Sequence, residues 1–350
     1  MRARALRSLA FAAVLAACSS DGAPDAEPAG AACGRPIEET IAPTIVRDEL
    51  GAAESGVASD GKYVYFAPHD VQVARVPLDG GIPELVAVRE QLRLLRAHGP
   101  RVCWRSLITI ECHDEDKKPF EVHSVGATGR LDEHREYRDF DFDDTYAYWM
   151  IEGTVFRAPL DRSSPPVELF RGTEIGRTMA VAGGALVFST EDFATIYVCR
   201  ADDCAQPKEL VSFGRPPSAI VGRLATDGRF AYVPVHLGDD TGRRGGKLVR
   251  IALDTGEMRE LVTCLDESPI AVALDGDTVF LTTHAKGTWV RETSSILEDG
   301  SVYAVPVDGS RPRRLARGQP YPSRIAALPD RVLWMNENNR LDAQILMLRR

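Results

Sequence analysis

Arg138, Arg177, Arg223 and Arg324 stand at corresponding places in this chain, each close to the start of a short run with the composition of a strand. Guanidinium groups brought together from such places would make a pocket for a carboxylate or phosphate, because their planar forks match oxyanions in pairs. The competing reading pairs each with a nearby acid such as Asp139, Glu174 or Asp192. Two more clusters fall in the longest interruptions of the pattern. In "VHLGDDTGRRGGK" (235–247), His236, Asp239 and Asp240 offer nitrogen and oxygen to a cation, but calcium needs six or more oxygens and no EF-hand spacing is present. A solvated acidic loop is the simpler alternative. In "THAKGTWVRETSSILEDG" (283–300), His284, Lys286 and Trp289 offer an imidazole, an ammonium and an indole to a sugar or peptide, unless Trp289 only packs the loop onto the body. His69-Asp70, Glu191-Asp192 and "NENN" (336–339) occupy matching places and would line the same rim. "HDEDKK" (113–118) reads as a solvated turn on the opposite face.

No catalytic set emerges. The chain has no GxSxG elbow, HExxH or P-loop, no CxxC metal knuckle and no cofactor motif. An enzyme reading, a lyase or hydrolase acting through His236 or His284 with the arginines holding an anionic group, stays open as the alternative to a binding module. A deep channel with His and carboxylates in hydrogen-bond reach would favour it.

The elements that must carry these residues are repeated. "GVASDGKYVYF" (56–66), "LRAHGPRVCW" (95–104), "DFDFDDTYAYW" (139–149), "MAVAGGALVF" (179–188), "RLATDGRFAYV" (223–233), "AVALDGDTVFL" (271–281) and "AALPDRVLW" (326–334) are versions of one phrase: an apolar strand, a tight turn, and a strand ending in large apolar residues. A second phrase follows, as in "RVPLDGGIPELV" (75–86), "RAPLDRSSPPVELF" (157–170), "RIALDTGEMRELV" (250–262) and "AVPVDGSRPRRLA" (304–316). Alternation has the period of two that strands require, and no helical period is sustained. Four strands per repeat of about 40–50 residues imply an all-β, seven-bladed β-propeller of four-stranded antiparallel blades. The last copy stops after "AQILMLRR" (343–350), one strand short, while "PTIVRDEL" (43–50) resembles a fourth strand. The ring is therefore expected to close with an N-terminal strand in the last blade, which removes two exposed edges. Loops entering each innermost strand, and those between second and third strands, would form the ligand-bearing face.

"YVYF...VARVPLDGG...LV" and "YAYWMIEGTVFRAPLD" resemble the YWTD repeats of lipoprotein receptors and their bacterial relatives, and the wider set of TolB-like propellers. The full Tyr-Trp-Thr-Asp tetrad appears in no copy, and seven blades exceed the six usual for YWTD domains. The resemblance implies architecture and transfers no catalytic residue.

At the start of the chain, Arg2, Arg4 and Arg7 precede an apolar run from Leu9 to Ala17, too short to span a bilayer and suited to a secretory signal. Leu15-Ala16-Ala17-Cys18 resembles the lipobox of bacterial lipoproteins, which implies cleavage after residue 17 and lipidation of Cys18. Ser19 in the next place implies the outer membrane, facing the periplasm or the cell surface. Residues 18–40, rich in Ala, Pro, Gly and acids, read as a flexible tether, and 41–350 as the propeller. Loss of residues 1–17 takes three arginines from 42 basic residues, leaving 39 against 51 acidic and a net charge of −12. With no Lys/Arg cluster, this balance argues against nucleic acid. Six of the seven cysteines remain beside Cys18, an even number in an oxidising compartment. Cys103 and Cys112 flank a hairpin, Cys199 and Cys204 flank a tight turn, and Cys33 and Cys264 are left to pair. The expectation is a monomeric, lipid-anchored module that holds a protein, peptide or glycan, without metal or cofactor.

Overall fold

Four antiparallel strands, Val57–Ser59, Tyr63–Phe66, Gln72–Pro77 and Glu84–Val88, hydrogen-bond in chain order, and the pattern recurs until seven sheets stand side by side. The protein is a seven-bladed β-propeller. This computed structural model describes residues 36–38, 42–48, 50, 56–89, 91–114, 117–124, 137–151, 153–172, 175–190, 194–214, 219–238, 244–265, 267–284, 300–339 and 342–350. Blades 2 to 7 begin with the inner strands Leu94–His98, Tyr137–Phe142, Ile175–Ala182, Ala219–Val221 with Ala225–Thr226, Ser268–Asp275 and Pro322–Leu328. Each blade is too thin to bury both faces alone, so the core lies between blades: Trp104, Trp149, Trp334, Phe140, Phe188 and Phe280 are all sealed there. Among the described residues no helix is long and apolar enough to cross a membrane.

The first repeated phrase works as a clasp. Asp143 Oδ1 accepts from the backbone N–H of Thr145 and Tyr146, both at 2.8 Å, and its Oδ2 from the Tyr148 hydroxyl at 3.0 Å. Asp60 holds Lys62, Tyr63 and Tyr65 in the same way, and Asp227 holds Arg229, Phe230 and Tyr232. The second phrase supplies an arginine over the preceding aromatic ring: Arg75 over Tyr63, Arg157 over Tyr146 and Arg250 over Phe230, at 4.1, 4.5 and 4.4 Å from the centroids. Arg157 and Arg250 then donate to carbonyls of the following blade, Ala201 at 3.0 Å and Val307 at 2.7 Å. The tight turn of the second phrase places Gly80 and Gly309 at φ 88° and 76°, a region glycine enters without steric cost. Repetition of the hairpin is thus explained by blade-to-blade attachment. Asp143→Ala should lower the free energy of urea unfolding by about 2–3 kcal/mol, and Tyr148→Phe by about 1 kcal/mol.

The ring closes as the repeat implies: Thr44–Arg47 pairs antiparallel with Asp342–Arg349, and Leu50 is buried in the seam between blades 7 and 1. Arg349 adds an ion pair across that seam to Asp79 at 2.9 Å. A cavity of about 310 Å³ opens there, lined by Arg47, Leu50, Phe66, His69 and Leu85 among others. Ile37–Glu38, inside the stretch read as tether, adds a fifth strand parallel to Arg313–Gln319 of blade 6. Cys103–Cys112 and Cys199–Cys204 are disulfides, the first pair directly opposite in register. Cys18 and the Cys33–Cys264 pairing lie outside the described residues.

Two local readings are corrected. The 235–247 segment is mostly ladder: Phe230–Gly238 and Arg244–Ala252 pair as far as Gly238 opposite Arg244. The turn-rich composition of that stretch masked strands whose partners lie on each other. His113 is no turn residue. It ends up in the strand Thr109–Asp114, buried between blades 1 and 2 beside Tyr65, at 6.0 Å between ring centroids.

Candidate functional site

The inner strand of blade 5 is broken, and the break builds the site. Ala219–Val221 and Ala225–Thr226 both pair with Phe230–Gly238, but the three residues between them do not follow. Pro234 sits opposite and has no N–H to give, so Gly222 takes only its carbonyl, at 2.8 Å. Arg223 then turns to the next blade: its N–H donates to Ile270 O at 2.8 Å, and its carbonyl accepts from Val272 N at 3.2 Å, a parallel bridge opposite Ala271. Gly222 permits this approach, since a Cβ there would stand 2.2 Å from Ile270 O.

The Arg223 side chain is half-buried and makes no hydrogen bond or ion pair with any described residue. Its electrostatic neighbours are Arg324, Asp139, Arg96 and Arg105, from blades 7, 3 and 2. None of those blades adjoins blade 5, so the guanidinium lies across the axis, in the central channel. Burial, and then Arg324, pull its pKa well below the ordinary arginine value, with Arg96 and Arg105 adding to the effect and, among the described residues, Asp139 opposing it. An arginine does not shed its proton in a protein, so the charge stays, with no ion pair among the described residues.

Arg324, on the inner strand of blade 7, passes over Gly56 of blade 1, where a Cβ would stand 3.1 Å from Arg324 Cγ. Its pKa is also lowered, by burial first, with Glu337 opposing and Arg96 reinforcing. Arg96 is better placed: Asp139 lies 3.5 Å from its Nη2, and Asp139 with Asp141 outweighs burial to hold its pKa up. The two acids are also committed to blade 4, because Asp139 accepts from Met179 N at 3.0 Å and Asp141 from Val181 N at 2.9 Å. Arg105 donates to Arg138 O at 3.3 Å.

The structure therefore brings Arg223 and Arg324 into one electrostatic group and adds Arg96 and Arg105, which sequence reasoning missed. Arg138 lies in Tyr137–Phe142 with an exposed side chain. Arg177 lies in Ile175–Ala182, its side chain outside the described residues, as are Asp239, Asp240 and Trp289. Asp139 pairs with Arg96, not with the adjacent Arg138.

His236 and His284 end the second strands of blades 5 and 6 and come near each other at the mouth. His284 packs on Tyr321, with ring centroids 3.6 Å apart, and Tyr321 holds a left-handed φ of 46°. Burial, with His236 adding to it, pushes the His284 pKa down to about 3. At neutral pH this imidazole is uncharged. Asn336, expected in a loop, is buried in the strand Arg331–Asn339 and donates to Gln319 Oε1 at 3.0 Å. Among the described residues no group of three or more His, Cys, Asp or Glu comes together as a metal site.

No protein-family model matches the chain, and no curated protein matches it in sequence. Solved structures match its fold. A YCF48 structure bound to D1 peptide is 9% identical with a TM-score of 0.59, over 89% of this chain and 98% of that one. YCF48 from Cyanidioschyzon merolae is 12% identical with a TM-score of 0.57, over 88% and 98%. A puromycin hydrolase mutant complexed with PGG is 13% identical with a TM-score of 0.58, over 84% of this chain and 51% of that one. At these identities the likeness is one of fold.

Proposed function

We propose that the chain is a binding module of the bacterial envelope, lipid-anchored through Cys18 at the outer membrane, that holds a protein or peptide segment on the face where second and third strands join. One observation carries this reading: in the adjacent blades 5 and 6 the second strands bring His236 and His284 within electrostatic reach of each other, beside the extended hairpin of blade 5. The blade 5 hairpin extends its ladder through His236–Gly246 to Gly238–Arg244, leaving Leu237 39% exposed, and His284 and Tyr321 stand next to it. The YCF48 structure bound to D1 peptide supports the reading as an instance of this fold engaging a peptide. The lipoprotein leader and the likeness to YWTD and TolB-like repeats accord with an envelope protein that scaffolds others.

A photo-crosslinking residue at Leu237 should give one discrete, stoichiometric adduct in intact cells, while the same residue at Ile82, 87% exposed on blade 1, should give none. Equal labelling from both positions, or none from Leu237, would count against the module. Cys18→Ala should abolish palmitate labelling and release the protein from membranes into the soluble fraction. Unchanged membrane retention would remove the anchor from the proposal.

A further inference from the structure

Arg223 presents an imbalance that the fold does not resolve. A charged group removed from bulk water is normally paired, because leaving it unpaired costs several kcal/mol. Here the inner strand of blade 5 leaves its own ladder between Val221 and Ala225, and the result is an arginine held in the channel without an ion pair among the described residues. The surroundings deepen the imbalance. Arg324 and Arg96 approach from other blades, and Arg105 lies within their electrostatic reach. The described acids that share the space are already engaged: Asp139 by Arg96 and the N–H groups of Phe140 and Met179, Asp141 by Val181 N. Glu337 acts on Arg324 from within blade 7 and is not among the groups that act on Arg223.

Local geometry places the two arginines. Gly56 leaves room for Arg324 to lie across blade 1, and Gly222 and Pro234 together fix the break that delivers Arg223. A cation placed by a strand break, facing further cations across a channel, is the arrangement that a multivalent oxyanion completes.

We propose that the central channel is a binding site for an oxyanion group carrying two or more negative charges, carboxylate or phosphate, clasped between Arg223 and Arg324 with Arg96 as the third donor. The group is either a free small anion or the acidic end of a partner segment. The inference goes beyond partner binding at the rim and holds whether or not a macromolecule engages the extended hairpin.

The test is calorimetric titration of the purified full chain with citrate, inorganic phosphate and a hexaglutamate peptide, at ionic strength fixed with sodium chloride. Saturable binding with Kd of about 1 mM or tighter is expected for at least one of the three. Arg223→Gln and Arg324→Gln should each weaken it about 10- to 100-fold. Binding of citrate or phosphate identifies a free anion, and binding of the peptide alone identifies a partner's acidic segment. Without added anion, Arg223→Gln should melt at or above the wild-type temperature, since it removes an uncompensated charge. Absence of saturable binding by all three probes, or binding that Arg223→Gln leaves intact, would overturn the proposal. So would a lower melting temperature of that variant without anion, which would make the guanidinium a structural group.

Discussion

Deletion of residues 43–50 is expected to abolish the cooperative unfolding transition of the propeller. Thr44–Arg47 supplies the fourth strand of blade 7, Leu50 N donates to Ala343 O at 3.1 Å, and Gln344 reaches Asp48 at 2.8 Å. The Leu50 side chain is 2% exposed within a cluster that holds Val57, Phe66, Leu333 and Ile345. Losing the ladder, the buried leucine and the pairing across the seam sums to more than about 5 kcal/mol, as large as the whole stability of many domains. Urea unfolding followed by circular dichroism should then lose its sigmoidal transition, because blades 7 and 1 separate and expose Leu333, Met335 and their neighbours. Leu50→Ala is a milder form of the same experiment, expected to cost about 2–5 kcal/mol with the fold retained. A deletion that unfolds like wild type would show that the ring does not depend on its N-terminal strand.

The second large effect is acid destabilisation through His284. Its pKa is about 3 in the folded chain and near 6.5 once unfolded. The folded state therefore binds the proton less readily, and the stability this contributes is complete above about pH 6.5 and is lost as pH falls toward 3. That amounts to about 2 kcal/mol by pH 5 and about 4–5 kcal/mol in full. His113 and His123, lowered by burial, act in the same direction. Glu267 and Asp141, raised by burial, act in the opposite one, gaining stability as pH falls. Comparison with His284→Phe isolates the residue: between pH 7 and pH 5 the variant should lose about 2 kcal/mol less in urea unfolding than wild type. Parallel pH profiles would mean that the imidazole is solvated at the mouth.

The blades were legible because the Asp clasp, the Arg-aromatic stack and the turn glycine recur at fixed spacing and act within one hairpin or between neighbours. The closing strand was legible for a related reason: the last copy of the repeat stops one strand short, and "PTIVRDEL" fits the vacancy. Two-residue pairing leaves too short a pattern to read, so Ile37–Glu38 was taken for tether. The channel is harder to read, because its contacts join residues from blades 2, 3, 5 and 7, far apart in sequence. Arg223 and Arg324 were singled out by position, but Arg96 and Arg105 look like any surface arginine until the ring closes. The signal for the break lies in Gly222 and in Pro234, a proline within a strand.

The measurement that bears most directly on the channel as the working part of the molecule is amide hydrogen exchange of the full chain with and without citrate. Slower exchange is expected at Arg223, Leu224 and Val272, around the inner-strand bridge, and at Arg324 and Ile325, with no change at the outer strand Glu84–Val88. Protection confined to the outer strands and repeated hairpins, or no change at the break in blade 5, would contradict that account.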